Sequence, residues 1–267
     1  MKNFLRLISL IGVICTCLCI LSCDNDSEEL VVTKPFEDIE ISDKTTVEAE
    51  DLASKFLIFT EKSQNKFGDR MSNALITGFN KVYPNLVETW CHGLYKDVVY
   101  VPNTDTGVAY ATSGSHALER EIDINYQYLT SVNEVDAITH ELTHVCQEYV
   151  DGKYGDPVSP EGGNWIVEGM TDYSRYTFGI YPGSFALPAY SSSDSYMSSY
   201  RVTARFFLWI NLNILPTFTE EFNEYLRNKP YTSSMFVDLT GYTVDQLWQM
   251  YADDNGRINN NSGNITR

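Results

Sequence analysis

Histidine is scarce in this chain: four residues in 267, at positions 92, 116, 140 and 144. Basic residues are few as well, with 19 Lys+Arg against 36 Asp+Glu and a formal net charge of −17. A surface of that sign repels phosphate backbones and anionic headgroups, which excludes nucleic acid as a partner. Thiols are rare beyond the first 23 residues. Cys15, Cys17, Cys19 and Cys23 fall inside that stretch, leaving Cys91 and Cys146 as either one disulfide or two buried thiols. Internal repeats are lacking, and so is a long linker after residue 46. The longest uncharged apolar run, Leu7–Leu21, falls short of the roughly 20 residues that a membrane-spanning helix needs.

That run has the character of an export signal. Lys2 and Arg6 precede it, and it closes in "ILSC", with Ile20, a small Ser22 and then Cys23. The pattern resembles the lipobox of bacterial lipoproteins, which implies cleavage before Cys23 and lipidation of that cysteine. Without Lys2 and Arg6 the remainder keeps 17 basic against 36 acidic residues. Membrane attachment is therefore expected through the N-terminal lipid only. The expected destination is the outer membrane or cell surface, facing outward or into the periplasm. The acidic "DNDSEE" that follows reads as a solvated tether or a surface-export signal.

Four segments follow: a signal peptide (1–22), an acidic tether (23–45), one folded domain (46–253) and a disordered polar tail (254–267). Helical spacing of Leu52, Phe56, Leu57, Met71, Leu75, Phe79 and Val82 predicts helix over about 47–90, broken at Pro84. Short β-branched and aromatic runs at 97–102, 107–112 and 120–129 predict strands. Ser131 and Glu134 form a capping-box pattern that would start a helix near residue 132, with Val135, Ile138, Leu142 and Val145 as its apolar face. A Gly- and Pro-dense loop (151–164) leads to a second helix over about 165–178, closed by Gly179. Further helices are expected within 200–212, 219–228 and 243–253. The fold class is thus α+β: a small mixed sheet, a site-bearing helix and a mainly helical C-terminal lobe.

Half of the scarce histidines fall in "THELTHVCQE" (139–148). Residues four apart on a helix lie about 40° apart around its axis, so His140 and His144 share one face and can reach one metal ion. Glu141 adjoins the first histidine without being aligned to ligate, a placement that suits a general base. A third ligand is available 24 residues after His144, where "NWIVEGMTDYSR" places Glu168 and Asp172 four apart on another helix face. Two histidines and Glu168 would leave one coordination position open, the pattern of a catalytic zinc site. Asp172, one turn on, is placed to accept a proton from the far nitrogen of a ligating histidine. The competing reading of Glu168 and Asp172 is a solvated helix face. The apolar neighbours Ile166, Val167 and Met170, which would bury this helix, argue against it.

The order HExxH then ExxxD is that of the thermolysin-like gluzincins. More closely, "VDAITHELTHVCQ" and "NWIVEGMTDYSRY" resemble the paired core motifs of the plant basic secretory proteins, a family of zinc peptidases. "GVAY" (107–110), "YRVTARFFLW" (200–209) and "FVDLTGYTVDQLWQMY" (236–251) agree with that family too. The resemblance implies a zincin-like metalloprotease fold, Zn2+ held by His140, His144 and Glu168, and a zinc-bound water activated by Glu141. It implies a protein or peptide substrate. The chain is expected to act as a monomer. Tyr200, Arg205 and Tyr173 are candidate donors to an oxyanion. By analogy with zincins, "EIDINYQYL" would pair with extended substrate, while His92 and His116 are expected at the surface. The plant proteins are basic and this chain is acidic, so no charge preference for substrate carries over. Two other readings are a binding lipoprotein on an inactive zincin scaffold and a zinc amidohydrolase acting on cell-wall amides.

Overall fold

The computed structural model describes residues 51–59, 61–103, 109–113, 119–127, 129, 135–149, 163–180 and 185–258. The signal peptide, Cys23, the tether, the Ser131–Glu134 capping box, His116 and the tail beyond residue 258 lie outside them. The described elements are α1 (Ala53–Phe56), β1 (Leu57–Ile58), α2 (Glu61–Cys91), β2 (Asp97–Asn103), β3 (Ala109–Ser113) and β4 (Glu119–Asn125). They continue with α3 (Ala137–Gln147), α4 (Asn164–Phe178), α5 (Tyr200–Asn213), α6 (Phe218–Asn228), α7 (Ser234–Thr240) and α8 (Val244–Asp253). None of the described helices is long and apolar enough to cross a membrane.

The sheet is mixed, in the order β1-β2-β4-β3. β1, β2 and β4 run parallel, and β3 returns antiparallel against β4. Alternation along the strands sends Val98 and Tyr100 of β2, and Ile122 and Ile124 of β4, into the core. β4 is paired on both sides, with β2 and with β3. Its backbone groups are therefore committed, and the expectation that this strand pairs with substrate is corrected: the edge beside it is β3.

Helix α2 departs from the sequence expectation in two ways. The predicted helix over 47–90 is interrupted by the β1 pair, and within α2 the residue Gly68 takes φ 73°, ψ 164°, a conformation that only glycine adopts readily. Pro84, by contrast, does not end the helix, which continues to Cys91. An interior proline removes one hydrogen bond and costs about 3 kcal/mol. Continuing past it buries Leu86, Val87 and Trp90 completely or nearly so. Each large apolar side chain removed from water is worth about 1.5–3 kcal/mol, so burial outweighs the break.

The mainly helical C-terminal lobe is built on aromatic packing. Trp165 of α4 stacks on Phe236 of α7 at 6.2 Å, and Phe222 of α6 sits 4.9 Å from Phe236. Helix α7 was missed in the sequence because it has only seven residues, too few for an apolar period to show. Helix α8 falls within the expected 243–253, and Thr243 and Gln246 form a capping box at its start.

Candidate metal centre

Helix α3 is amphipathic with a narrow polar stripe. Ile138, Leu142, Val145 and Cys146 are fully buried, packed between α2, α4 and β3, while His140 and His144 keep 13% and 12% of their side chains exposed. Helix α4 lies against α3 on one side and α5 on the other. Its Ile166, Val167 and Met170 are buried, which turns Glu168 and Asp172 toward the α3 stripe.

The ends of both helices are anchored. At the start of α3, Asp136 accepts hydrogen bonds from Arg175 Nε (2.9 Å) and the Ile180 backbone N–H (2.8 Å), tying this helix to the end of α4. At its far end Glu148 takes the left-handed conformation (φ 42°). There Lys96 Nζ donates to the Val145 carbonyl (2.9 Å), and Arg227 Nη1 donates to the carbonyls of Cys146 (2.7 Å) and Gln147 (3.2 Å). Two cations thus satisfy the carbonyls that a helix C-terminus leaves open and complement its negative dipole end. Cys91 and Cys146 are buried free thiols in this region, with Cys91 Sγ donating to the Cys146 carbonyl at 3.3 Å.

Three donor atoms converge between the helices. His140 Nε2 and His144 Nε2 are 3.2 Å apart, and Glu168 Oε2 lies 3.2 Å from the first and 3.8 Å from the second. Tetrahedral ligands at about 2.1 Å from zinc stand about 3.4 Å from one another, so the separations match the group that would bind. The far nitrogens are both occupied. His140 Nδ1 donates to Asp172 Oδ1 at 2.8 Å, and His144 Nδ1 donates to Gln147 Oε1 at 2.8 Å. With both Nδ1 atoms engaged in this way, both Nε2 atoms face the gap. This cluster can hold a metal ion and has a donor set compatible with zinc.

Electrostatics in the gap favour a cation. Burial pushes the His140 imidazole down, but its hydrogen bonds to Asp172 and Glu168 outweigh that and hold its pKa well above the ordinary value. Burial likewise pushes Glu168 up, and the two histidines more than reverse it, leaving the carboxyl below its ordinary range. Thr171 donates to the Glu168 carbonyl at 2.7 Å, and its oxygen lies 3.3 Å from His140 Nε2. Glu141 is buried beside His140, at 7% exposure.

Of the three candidate oxyanion donors, only Tyr200 is placed against the histidines. Its ring is stacked on the His140 ring at 6.1 Å and 18°, and it is half exposed. It starts α5 after Ser199, and both residues have positive φ (47° and 67°). Ser199, with ψ −179°, occupies a region that is close to glycine-only and costs about 1–3 kcal/mol. Arg205 donates instead to the Gly256 carbonyl at 2.8 Å, and the buried Tyr173 hydroxyl accepts from Asn211 Nδ2 at 2.8 Å. His92 is a surface residue paired with Glu224 at 2.7 Å. Sequence reasoning missed Gln147, although its position three residues after His144 on the same helix was the available signal.

Residues 38–251 match the family described as "Peptidase of plants and bacteria". This chain belongs to that family. It is the basic secretory protein family that the paired motifs resemble, and the match takes in α3, α4 and the helices after them. Comparison with curated proteins found no match, and comparison with solved structures found none. Membership makes the clustered histidines and Glu168 the candidate active centre of a peptidase.

Proposed function

We propose that the chain is a zinc metallopeptidase of the thermolysin-like gluzincin type on a zincin-like scaffold. His140, His144 and Glu168 would be the metal ligands and Glu141 the general base. The observation that carries this reading is the convergence of three donor atoms whose histidines are both turned, by Asp172 and Gln147, with Nε2 inward. Zinc, when bound, lowers the pKa of water toward about 7 and polarises a carbonyl. Glu141 takes a proton from the attacking water and returns it to the leaving amine. Asp172 holds the His140 proton on Nδ1 throughout, fixing the ring. Tyr200 donates to the oxyanion from the exposed side of His140. An extended peptide would add to the edge of β3 that no described strand pairs with, where β3 packs against α3. Lipidation at Cys23 would tether the peptidase to an outer membrane surface by its N-terminus, with protein or peptide as its substrate.

The test is casein hydrolysis by the protein lacking residues 1–22, with and without a chelator, beside Glu141→Gln. The variant is expected to keep its metal and lose hydrolysis by about 10²–10⁴-fold. Undiminished hydrolysis in that variant, or in the chelated protein, would remove Glu141 and zinc from the reaction.

A further inference from the structure

Gln147 is buried (1% exposed), the last residue of α3, and makes two hydrogen bonds in opposite directions. Its Nε2 donates to the Val167 carbonyl at 3.0 Å, and its Oε1 accepts from His144 Nδ1 at 2.8 Å. The first bond removes the ambiguity of the amide. A carbonyl can only accept, so the NH₂ group must face Val167 and the oxygen must face the histidine. An oxygen there can only accept, so His144 must carry its proton on Nδ1. From this geometry we infer that Gln147 is a positioning residue: it fixes the tautomer and ring plane of His144 and couples that ring to the backbone that presents Glu168. This rests on the metal reading above.

The coupling follows from the chain. Val167 immediately precedes Glu168, so one buried side chain joins the second candidate ligand to the peptide unit beside the third. The joint is braced from behind, where Arg227 Nη1 donates to the Gln147 carbonyl and to the one before it. The two histidines are consequently held by partners of different charge. His140 has the Asp172 carboxylate, while His144 has a neutral amide. Three carboxylates, those of Glu141, Glu168 and Asp172, already surround the pair. A fourth is not needed to attract a cation, and an amide orients the ring without adding repulsion.

The test compares zinc affinity of the parent, Gln147→Met and Gln147→Glu by competition with a chromophoric chelator, each variant checked for folding by thermal melting. Methionine keeps the length and loses both bonds; glutamate keeps the acceptor for His144 and loses the donor to Val167. Gln147→Met is expected to bind zinc 10–100-fold more weakly, and Gln147→Glu to recover most of that loss. In the unmutated zinc-loaded protein, long-range ¹⁵N–¹H spectra should show His144 as the Nδ1–H tautomer. Equal affinity in parent and Gln147→Met, no recovery in Gln147→Glu, or an Nε2–H tautomer would overturn the assignment. A parent that takes up no zinc overturns the metal reading and this assignment together, whereas zinc held equally by parent and Gln147→Met overturns the assignment alone.

Discussion

Replacing Gly169 by alanine sets helix propensity against packing, and the structure decides the sign. Gly169 lies inside α4 next to Glu168, on the side that meets α5. An added Cβ would sit 2.7 Å from Thr203 Cβ and closer still to Thr203 Cγ2, where unstrained carbons stand about 3.5–4.0 Å apart. Both atoms belong to the β-branched Thr203 side chain, whose hydroxyl is held by its own hydrogen bond to the Tyr196 carbonyl (2.7 Å), so neither can swing aside. Alanine gains about 1 kcal/mol of helix propensity over glycine. Overpacking at a rigid contact costs up to about 3 kcal/mol, leaving a net loss of about 2 kcal/mol. For a domain of this size that lowers Tm by about 4–8 °C, read by circular dichroism on heating. Thr203→Ser keeps the hydroxyl and removes the nearer methyl. The double variant should recover part of the loss, with a coupling energy of at least about 0.5 kcal/mol in a double-mutant cycle. A Tm for Gly169→Ala equal to or above the parent would mean that propensity wins and that α4 and α5 do not approach this closely.

Asp136→Ala leaves the buried Arg175 guanidinium without its carboxylate and should cost about 3–5 kcal/mol, measured by urea unfolding; a cost under about 1 kcal/mol would refute the role given to that pair. Glu148 yields a pH prediction. Burial pushes its carboxyl up, but Lys96 (2.6 Å) and Arg120 (2.9 Å) outweigh this and hold it below the ordinary value. A depressed carboxyl pKa contributes stability that is present above the unfolded value, about 4.3, and is lost as pH falls through the folded value. The urea midpoints of parent and Glu148→Gln should therefore differ at neutral pH and converge in acid, and a gap that persists below pH 3 would contradict the pairing.

The legibility of the sequence varied with the scale of the signal. His140, His144, Glu168 and Asp172 were readable because helical spacing alone places side chains four apart on one face; α4 formed over the range its apolar positions predicted, whereas α3 starts at Ala137, later than the start expected near residue 132, with Val135 and Asp136 in a turn before it. Pro84 misled because a local rule was overridden by the burial of Leu86, Val87 and Trp90, which are non-local gains. Assigning the substrate edge to β4 failed for a similar reason, since strand order depends on the β2–β4 pairing across intervening chain. The supports of the site, namely Lys96 and Arg227 at the α3 carbonyls and Gln147 on Val167, join residues 20 to 81 positions apart. No periodicity records such pairs.

The zinc content of the protein lacking residues 1–22, determined by elemental analysis beside Glu168→Ala, tests the metal centre most directly. About one zinc per chain in the parent and a large loss in the variant is the predicted result, because Glu168 would supply one of the three donors of the proposed site. Equal zinc in both would remove Glu168 as a ligand, and no zinc in either would contradict the metal centre itself.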